Sequence, residues 1–417
     1  MRLVRATLIA IVVVLCTGAP IQADPPSGPA WERHIIDNGS RGADGVRLAD
    51  ANGDGLADVV TAWEQGGQVR LCLNPGPAKV RERWPSVTVG QAGDGEDAVL
   101  VDVDGDGAMD VVSSSEGKTR SLQIHWGPEK SKLLDPTAWT TTKFPAADSA
   151  MMWMFSLPMQ IDGRNGVDLV AGGKNKDAAI GWFESPSTPR DGAAWTWHEL
   201  RKVGWLMLLV SSDMDGDGDQ DILFSDRKGP LRGAGWLENP GRETATGPWR
   251  EHAIGGQGAE AMFLSLADLD ANGFEDILLA VQPKEIRWLR RLSRDGGNWQ
   301  SISIALPEPT GIAKAVSVGD VDLDGRLDLV FSCEKAVAPA EGLMWLSREV
   351  PGIDSRPQDW RWTAHRLSGP DGIKHDLVAL VDLDGDGDLD AMTSEEVKDL
   401  GVIWYENPIR SIAKGTD

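Results

Sequence analysis

One nine-residue pattern, D-x-(D/N)-x-(D/N)-G-x-x-D followed by apolar residues, recurs along the chain and constrains its fold more than any other feature. Copies begin at Asp50, Asp102, Asp213, Asp268, Asp320 and Asp382, and a degraded seventh copy runs from Gln160 to Asp168. Successive starts lie 52, 58, 53, 55, 52 and 62 residues apart. Self-similarity at such a period marks a repeat architecture, in which one supersecondary unit cannot bury its apolar face alone and stacks on its neighbours to do so. The copies tile residues 31–409 and leave no room for a second domain.

Each unit carries four short strand-like segments and no helical periodicity. An apolar or alternating run precedes the acidic loop, as in Val46 to Ala49, and another follows it, as in Asp58 to Val60. A third segment holds a tryptophan at Trp126, Trp182, Trp236, Trp288, Trp345 and Trp404, with Leu71 in the first unit. The fourth holds Trp31, Trp84, Trp139, Trp195, Trp249, Trp299 and Trp362, and these rings are expected to pack sheet on sheet. Four strands repeated seven times predict an all-β, seven-bladed β-propeller, since radial repetition leaves only short protected sheet edges. Because Trp31 to Ile36 is a fourth strand that precedes the first inner strand, the N-terminal strand should close the last blade, pairing onto Leu377 to Tyr405.

Alternate acidic positions in a tight turn point oxygen ligands inward, glycine at position 6 permits the bend, and the carbonyl at position 7 adds a ligand. In the first loop the set is Asp50, Asn52, Asp54, the Leu56 carbonyl and Asp58; in the second it is Asp102, Asp104, Asp106, Ala108 and Asp110. The fourth offers Asp213, Asp215, Asp217, Asp219 and Asp221, and the fifth Asp268, Asp270, Asn272, Phe274 and Asp276. The sixth offers Asp320, Asp322, Asp324, Arg326 and Asp328, and the seventh Asp382, Asp384, Asp386, Asp388 and Asp390. An EF-hand needs a bidentate glutamate at position 12, where these loops have Thr61, Ser113, Phe224, Leu279, Phe331 and Thr393. Six Ca2+ sites are therefore expected, outside an EF-hand. The third loop, with Gln160, Asp162, Arg164 and Asp168, is expected to hold none, Arg164 bridging Asp162 and Asp168 in place of the ion.

The start of the chain sets the compartment. Arg2 and Arg5 stand at the N-terminal end of an apolar run from Leu3 to Cys16 that is too short to span a bilayer, and Ile21-Gln22-Ala23 offers a small-residue cleavage site. Residues 1–23 read as a signal peptide, 24–30 as a linker and 410–417 as a tail, so the protein is expected to be secreted, periplasmic or extracellular. A lipid anchor on Cys16 is disfavoured by Leu15 before it. Cys72 and Cys333 fall in different units and read as small buried side chains, which excludes a disulfide scaffold. A net charge of −23 with no basic stretch excludes nucleic acid and anionic membrane as partners, and no membrane insertion is expected.

The run Asp102-Val103-Asp104-Gly105-Asp106-Gly107-Ala108-Met109-Asp110-Val111-Val112 and its counterparts resemble the FG-GAP or VCBS repeat of integrin α-subunit propellers and secreted bacterial proteins. The resemblance covers nearly the whole chain after its leader and implies a seven-bladed propeller with calcium between the first and second strands of a blade. The Phe-Gly and Gly-Ala-Pro parts of the integrin-type signature are mostly replaced by the tryptophan-rich third strand, which sets an integrin-like partner aside.

Loops entering the first strands and those joining second to third strands should share the face opposite the calcium loops, around the central channel. Candidates there are Asp44, Asp97, Trp153, Trp205, Glu260, Lys314, Lys374, His375 and Asp376, with Lys174, Lys176, Asp226, Arg227, Lys228, Lys284 and Lys335 from the second set. Trp153, Trp205, Lys174, Arg227, Lys228, Glu260 and Lys314 are the candidate ligand-binding residues, for a polysaccharide whose rings stack on aromatics or for a protein. The expected function is recognition by a monomer. The alternative is a lyase-like polysaccharide-degrading enzyme, for which His375, Lys374 and Asp376 are the one compact group suited to acid–base work. His34, His198, His252 and His365 recur in a Trp-x-x-His strand position and read as structural.

Overall fold

The computed structural model describes residues 20–352 and 355–410; the expected signal peptide up to residue 19 and the tail from 411 lie outside them. The fold is an all-β propeller, with three short 3-10 turns among the described residues. The first unit shows the plan: Ala43–Ala49, Asp58–Trp63, Gln68–Cys72 and Ser86–Gln91 pair in that order as an antiparallel meander. The acidic loop fills the gap between first and second strands. In all seven units the ninth-position aspartate, Asp58, Asp110, Asp168, Asp221, Asp276, Asp328 or Asp390, is the first residue of the second strand.

Ring closure follows the phase of the repeats. Glu32–Asp37 pairs antiparallel with Gly401–Glu406 and completes a sheet with Asp390–Glu395 and His375–Val381. Arg70 secures this seam: its Nε donates to Asp37 Oδ2 at 2.6 Å, joining the closing strand to the third strand of the first unit.

The expectation of seven separate four-stranded blades is corrected. Five sheets have four strands, and a sixth has nine. Ile21–Ser27 enters between the outer strands Trp299–Ala305 and Arg361–Arg366, parallel to both, and fuses the sheets they belong to. Ile21 faces Ile304, and Ala23 and Asp24 face Trp362 and Thr363. Two outer edges otherwise expose unpaired backbone groups, and an extended segment satisfies both. Pro25 and Pro26 have no N–H to donate and keep the segment extended, with a register shift between Asp24 and Ser27. Residues 24–27 are thus strand rather than linker.

The tryptophans pack between and within sheets as their spacing predicts. Trp182, Trp236, Trp288 and Trp404 on third strands are fully buried. A buried ring of this size contributes roughly 4–6 kcal/mol by area. The Trp-x-x-His histidines stack on them: His252 lies 3.9 Å from Trp236 and His365 3.9 Å from Trp345. Before the fourth strands, indole N–H groups tie down the preceding turns, Trp139 to the Leu133 carbonyl and Trp195 to the Pro189 carbonyl, both at 2.9 Å. Cys72 and Cys333 are buried free thiols.

Candidate functional site

The acidic loops are built by their own hydrogen bonds. In the first, Asp50 accepts from the N–H groups of Gly53, Asp54 and Gly55, curling the turn around one carboxylate. Gly53 and Gly55 both have positive φ, which a side chain rarely tolerates. Asp54 then accepts from Leu56 N–H at 2.8 Å.

The ninth-position aspartate has a role that sequence reasoning missed. Its Oδ2 accepts the N–H of loop position 2 in every unit, from 2.8 Å for Ala51 to 3.2 Å for Leu269. In six units its Oδ1 accepts an N–H at the end of the third strand, as from Asn74 to Asp58 at 2.7 Å. It therefore clamps the loop to its own sheet. Burial raises these carboxyls above the usual range, Asp58, Asp168 and Asp276 to about 6 and Asp110, Asp221, Asp328 and Asp390 to about 7.

The donor set fits calcium. One oxygen from each of Asp102, Asp104 and Asp110 lies within 4.8 Å of the others, as do those of Asp213, Asp215 and Asp221, of Asp268, Asp270 and Asp276, and of Asp320, Asp322 and Asp324. All are hard oxygens with no thiolate or imidazole, the chemistry Ca2+ prefers. Arginines lean on the same carboxylates: Arg190 reaches Asp104 at 2.6 Å and Arg290 reaches Asp270 at 2.5 Å. In the third loop, Gln160 stands where the first aspartate would. Its Oε1 accepts from Gly163 N–H at 2.7 Å, and its Nε2 donates to the Arg164 and Gly166 carbonyls. The Arg164 guanidinium comes no closer than 3.9 Å to Asp162, which accepts the Arg164 backbone N–H at 2.8 Å instead, and the hydrogen bonds to Asp168 come from backbone N–H groups. The expected Asp162–Arg164–Asp168 bridge is corrected: the glutamine amide supplies the internal donors.

At the opposite end of the strands, a cavity of about 270 Å3 opens at the axial mouth. The sixth residue after each clamping aspartate reaches this level: Glu64, Glu116, Lys174, Arg227, Gln282, Glu334 and Glu396. All but Gln282 line the cavity, and Gln282 bridges Arg227 and Glu334 at 3.1 and 3.0 Å. The fixed spacing from the clamping aspartate is the sequence signal that locates these residues. Inner-strand entrances add Asp44, Glu96, Lys314, Lys374 and Asp376, and an apolar arc is formed by Met154, Phe155, Met207 and Phe263. Deeper along the same strands, Val46, Leu208, Leu264, Val316 and Val378 line the channel.

The mouth charges are tightly paired. Lys174 Nζ contacts Glu96 at 3.0 Å and also Glu116. Lys314 lies 3.4 Å from Asp376, and Lys374 touches Glu396 and lies 3.9 Å from Asp44. Burial opposes the charge on Lys374, but Asp44, Asp376 and Glu396 outweigh it and hold the ammonium well above its ordinary pKa. Burial pushes Glu64 up to about 7, with Glu396 and Glu96 adding to the effect.

Several expected site residues take other places. Trp153 is buried in the core, its Nε1 donating to the Ala147 carbonyl at 2.9 Å, so it offers no stacking face. Trp205 lines the cavity, but Lys174, Arg227 and Lys228 stand over its ring at 4.5, 4.8 and 4.2 Å. Glu260 receives Arg227 at 3.1 Å. Asp97 is buried against Arg47 at 2.9 Å, and Asp226 against Arg201 at 3.3 Å. Lys374 and Asp376 line the cavity, whereas His375 between them on the alternate face of the strand is fully buried. Burial drives the His375 pKa down to about 3, and neither ring nitrogen has a hydrogen-bond partner.

A family model described as FG-GAP-like repeat matches residues 50–113, 213–279 and 268–331. Among solved structures, a crystal structure of BBS1N in complex with ARL6DN, soaked with mercury, is similar over 90% of this chain and 96% of that one. The identity is 10% and the TM-score 0.50, so the likeness is one of fold. No curated protein sequence matches the chain.

Proposed function

Because the chain belongs to the FG-GAP-repeat β-propellers, we propose that it is a secreted recognition module of seven repeat units, two sharing one sheet, that binds its ligand at the axial mouth. Calcium in six loops, ligated by the loop carboxylates, would cross-link each turn and keep the ring rigid; bound ions stabilise the folded state through preferential binding.

One observation carries the choice of site. The clamping aspartate, which serves the fold, is the same residue in all seven units. At the mouth position the residue differs from unit to unit, running Glu, Glu, Lys, Arg, Gln, Glu, Glu. A ring that needed only closure would not require that asymmetry; a ring that recognises an asymmetric ligand does. Of the two ligand classes expected, a protein is favoured over a saccharide. A sugar ring would have to stack on Trp205, where three protein cations already stand.

Selection of binders from a displayed peptide library tests this. The reading expects binders whose affinity falls in Glu64→Gln and Met207→Ala and is unchanged in Gln220→Ala, on the calcium-loop face. Binders that are indifferent to both mouth variants would contradict it.

A further inference from the structure

We infer that the mouth accepts a cation on an apolar stem, the ammonium or guanidinium of a lysine or arginine side chain, with its charge at Glu64. This rests on the reading of the mouth as the ligand site.

The charge ledger of the cavity is unbalanced. Seven carboxylates face it against four cations, Lys174, Arg227, Lys314 and Lys374. All four cations are committed to partners, Arg227 to Glu260 and Gln282 and the lysines to the carboxylates described above. Followed around the ring at the level of the cavity, the contacts bridge one unit to the next except between the first and second, which the Arg47–Asp97 pair joins outside the cavity lining. Lys174 joins the second unit to the third and stands over Trp205 of the fourth. Arg227, Gln282 and Glu334 link the fourth to the sixth, Lys314 reaches the seventh, and Lys374 reaches the first. At the remaining junction Glu64 faces Glu396 and Glu96, and among the described residues it makes no ion pair with a cation.

Two further features select the kind of cation. Asp44, Glu64 and Glu396 each bring an oxygen within 4.8 Å of the others, yet the Lys374 ammonium already lies against two of them, so a bare metal ion would meet a positive charge. The arc of Met154, Phe155, Met207 and Phe263 also has no use in a metal site, whereas it suits the methylene stem of a long side chain. Asp376, 3% exposed and on the cavity wall, has an Oδ2 that accepts no hydrogen bond, with Lys314 at 3.4 Å. A volume of about 270 Å3 is below the roughly 300–1,000 Å3 typical of a pocket for a drug-sized molecule and fits one projecting side chain. The net charge of −23 would steer a basic partner toward the surface.

Calorimetric titration of the calcium-loaded protein with four probes tests the inference: n-hexylammonium, a capped pentapeptide with one central lysine, n-hexanoate, and cellohexaose. The ammonium and the peptide should bind at least about tenfold more tightly than hexanoate, and Glu64→Gln should weaken both by roughly tenfold. Tighter binding of the peptide would point to a protein side chain as the source, and tighter binding of hexylammonium to a free amine. Glu64→Gln keeps the shape of the side chain, and an unchanged melting temperature verifies that the ring is intact. Hexanoate or cellohexaose binding best, and losing affinity in Met207→Ala, would overturn the cation while keeping the mouth. No probe responding to either variant would overturn both.

Discussion

The Ser185 backbone N–H donates to Asp168 Oδ1 at 2.9 Å, in the loop that departs from the acidic pattern. The same bond joins Asn407 to Asp390 and Gly127 to Asp110, both at 2.8 Å, in loops that keep the pattern. The last aspartate of the motif therefore serves the sheet whether or not the loop carries a full ligand set.

Asp168→Ala should orphan the N–H groups of Ile161 and Ser185, at about 1–3 kcal/mol for each. Urea melts should show the same loss in calcium and in chelator. A loss that vanishes in chelator would mean that Asp168 acts through a bound ion.

Ring closure should be sensitive to one ion pair. Arg70 and Asp37 are largely buried where the closing strand meets the first unit, and Arg70 also donates to Ser86 at 2.8 Å. Asp37→Ala leaves a buried guanidinium without its carboxylate and should cost about 3 kcal/mol by denaturant unfolding. A change under about 0.5 kcal/mol would show that the seam is held by its strands alone.

Acid should destabilise the protein partly through buried histidines. Burial lowers His125 to about 4 and His375 to about 3, so both are neutral in the folded state. Their contribution is fully present above the ordinary histidine pKa of about 6.5 and is lost as pH falls toward the folded values. His375 has no hydrogen bond to lose, so His375→Leu should melt no lower than the parent at pH 7.5 and gain on it progressively from pH 6.5 to 4.5. Parallel melting curves for the two proteins across that range would contradict this.

The inserted N-terminal strand makes a local prediction. A chain beginning at Asp24, the expected cleavage product, loses the pairing of Ile21 with Ile304 and Gln22 with Ala305 but keeps Asp24 against Thr363. Hydrogen exchange should quicken around Ile304 and stay unchanged in the five separate sheets. Global acceleration would mean that the strand holds the ring together.

Period and loop chemistry made the propeller and its closing strand legible, because Asp, Gly and Trp recur at positions where backbone geometry and packing demand them. The inserted strand was not legible: Ile21-Gln22-Ala23-Asp24-Pro25-Pro26-Ser27 has linker composition, and its strand character comes from two sheet edges far along the chain. Trp153 lies outside the tryptophan repeat positions, which points to the mouth, yet it fills the core beside Phe183 and Trp197. The basic candidates Lys174, Lys314 and Lys374 were visible one by one. Their pairing with Glu116, Asp376 and Glu396, which leaves the mouth acidic, depends on which units become neighbours in the ring.

The most direct test of the account is the calcium content of the desalted, calcium-equilibrated protein by elemental analysis. Six ions per chain are predicted, falling to five in Asp104→Asn and remaining six in Asp162→Asn of the third loop. Fewer than two in the parent protein would contradict the claim that cations gather these carboxylates into the turns of the ring.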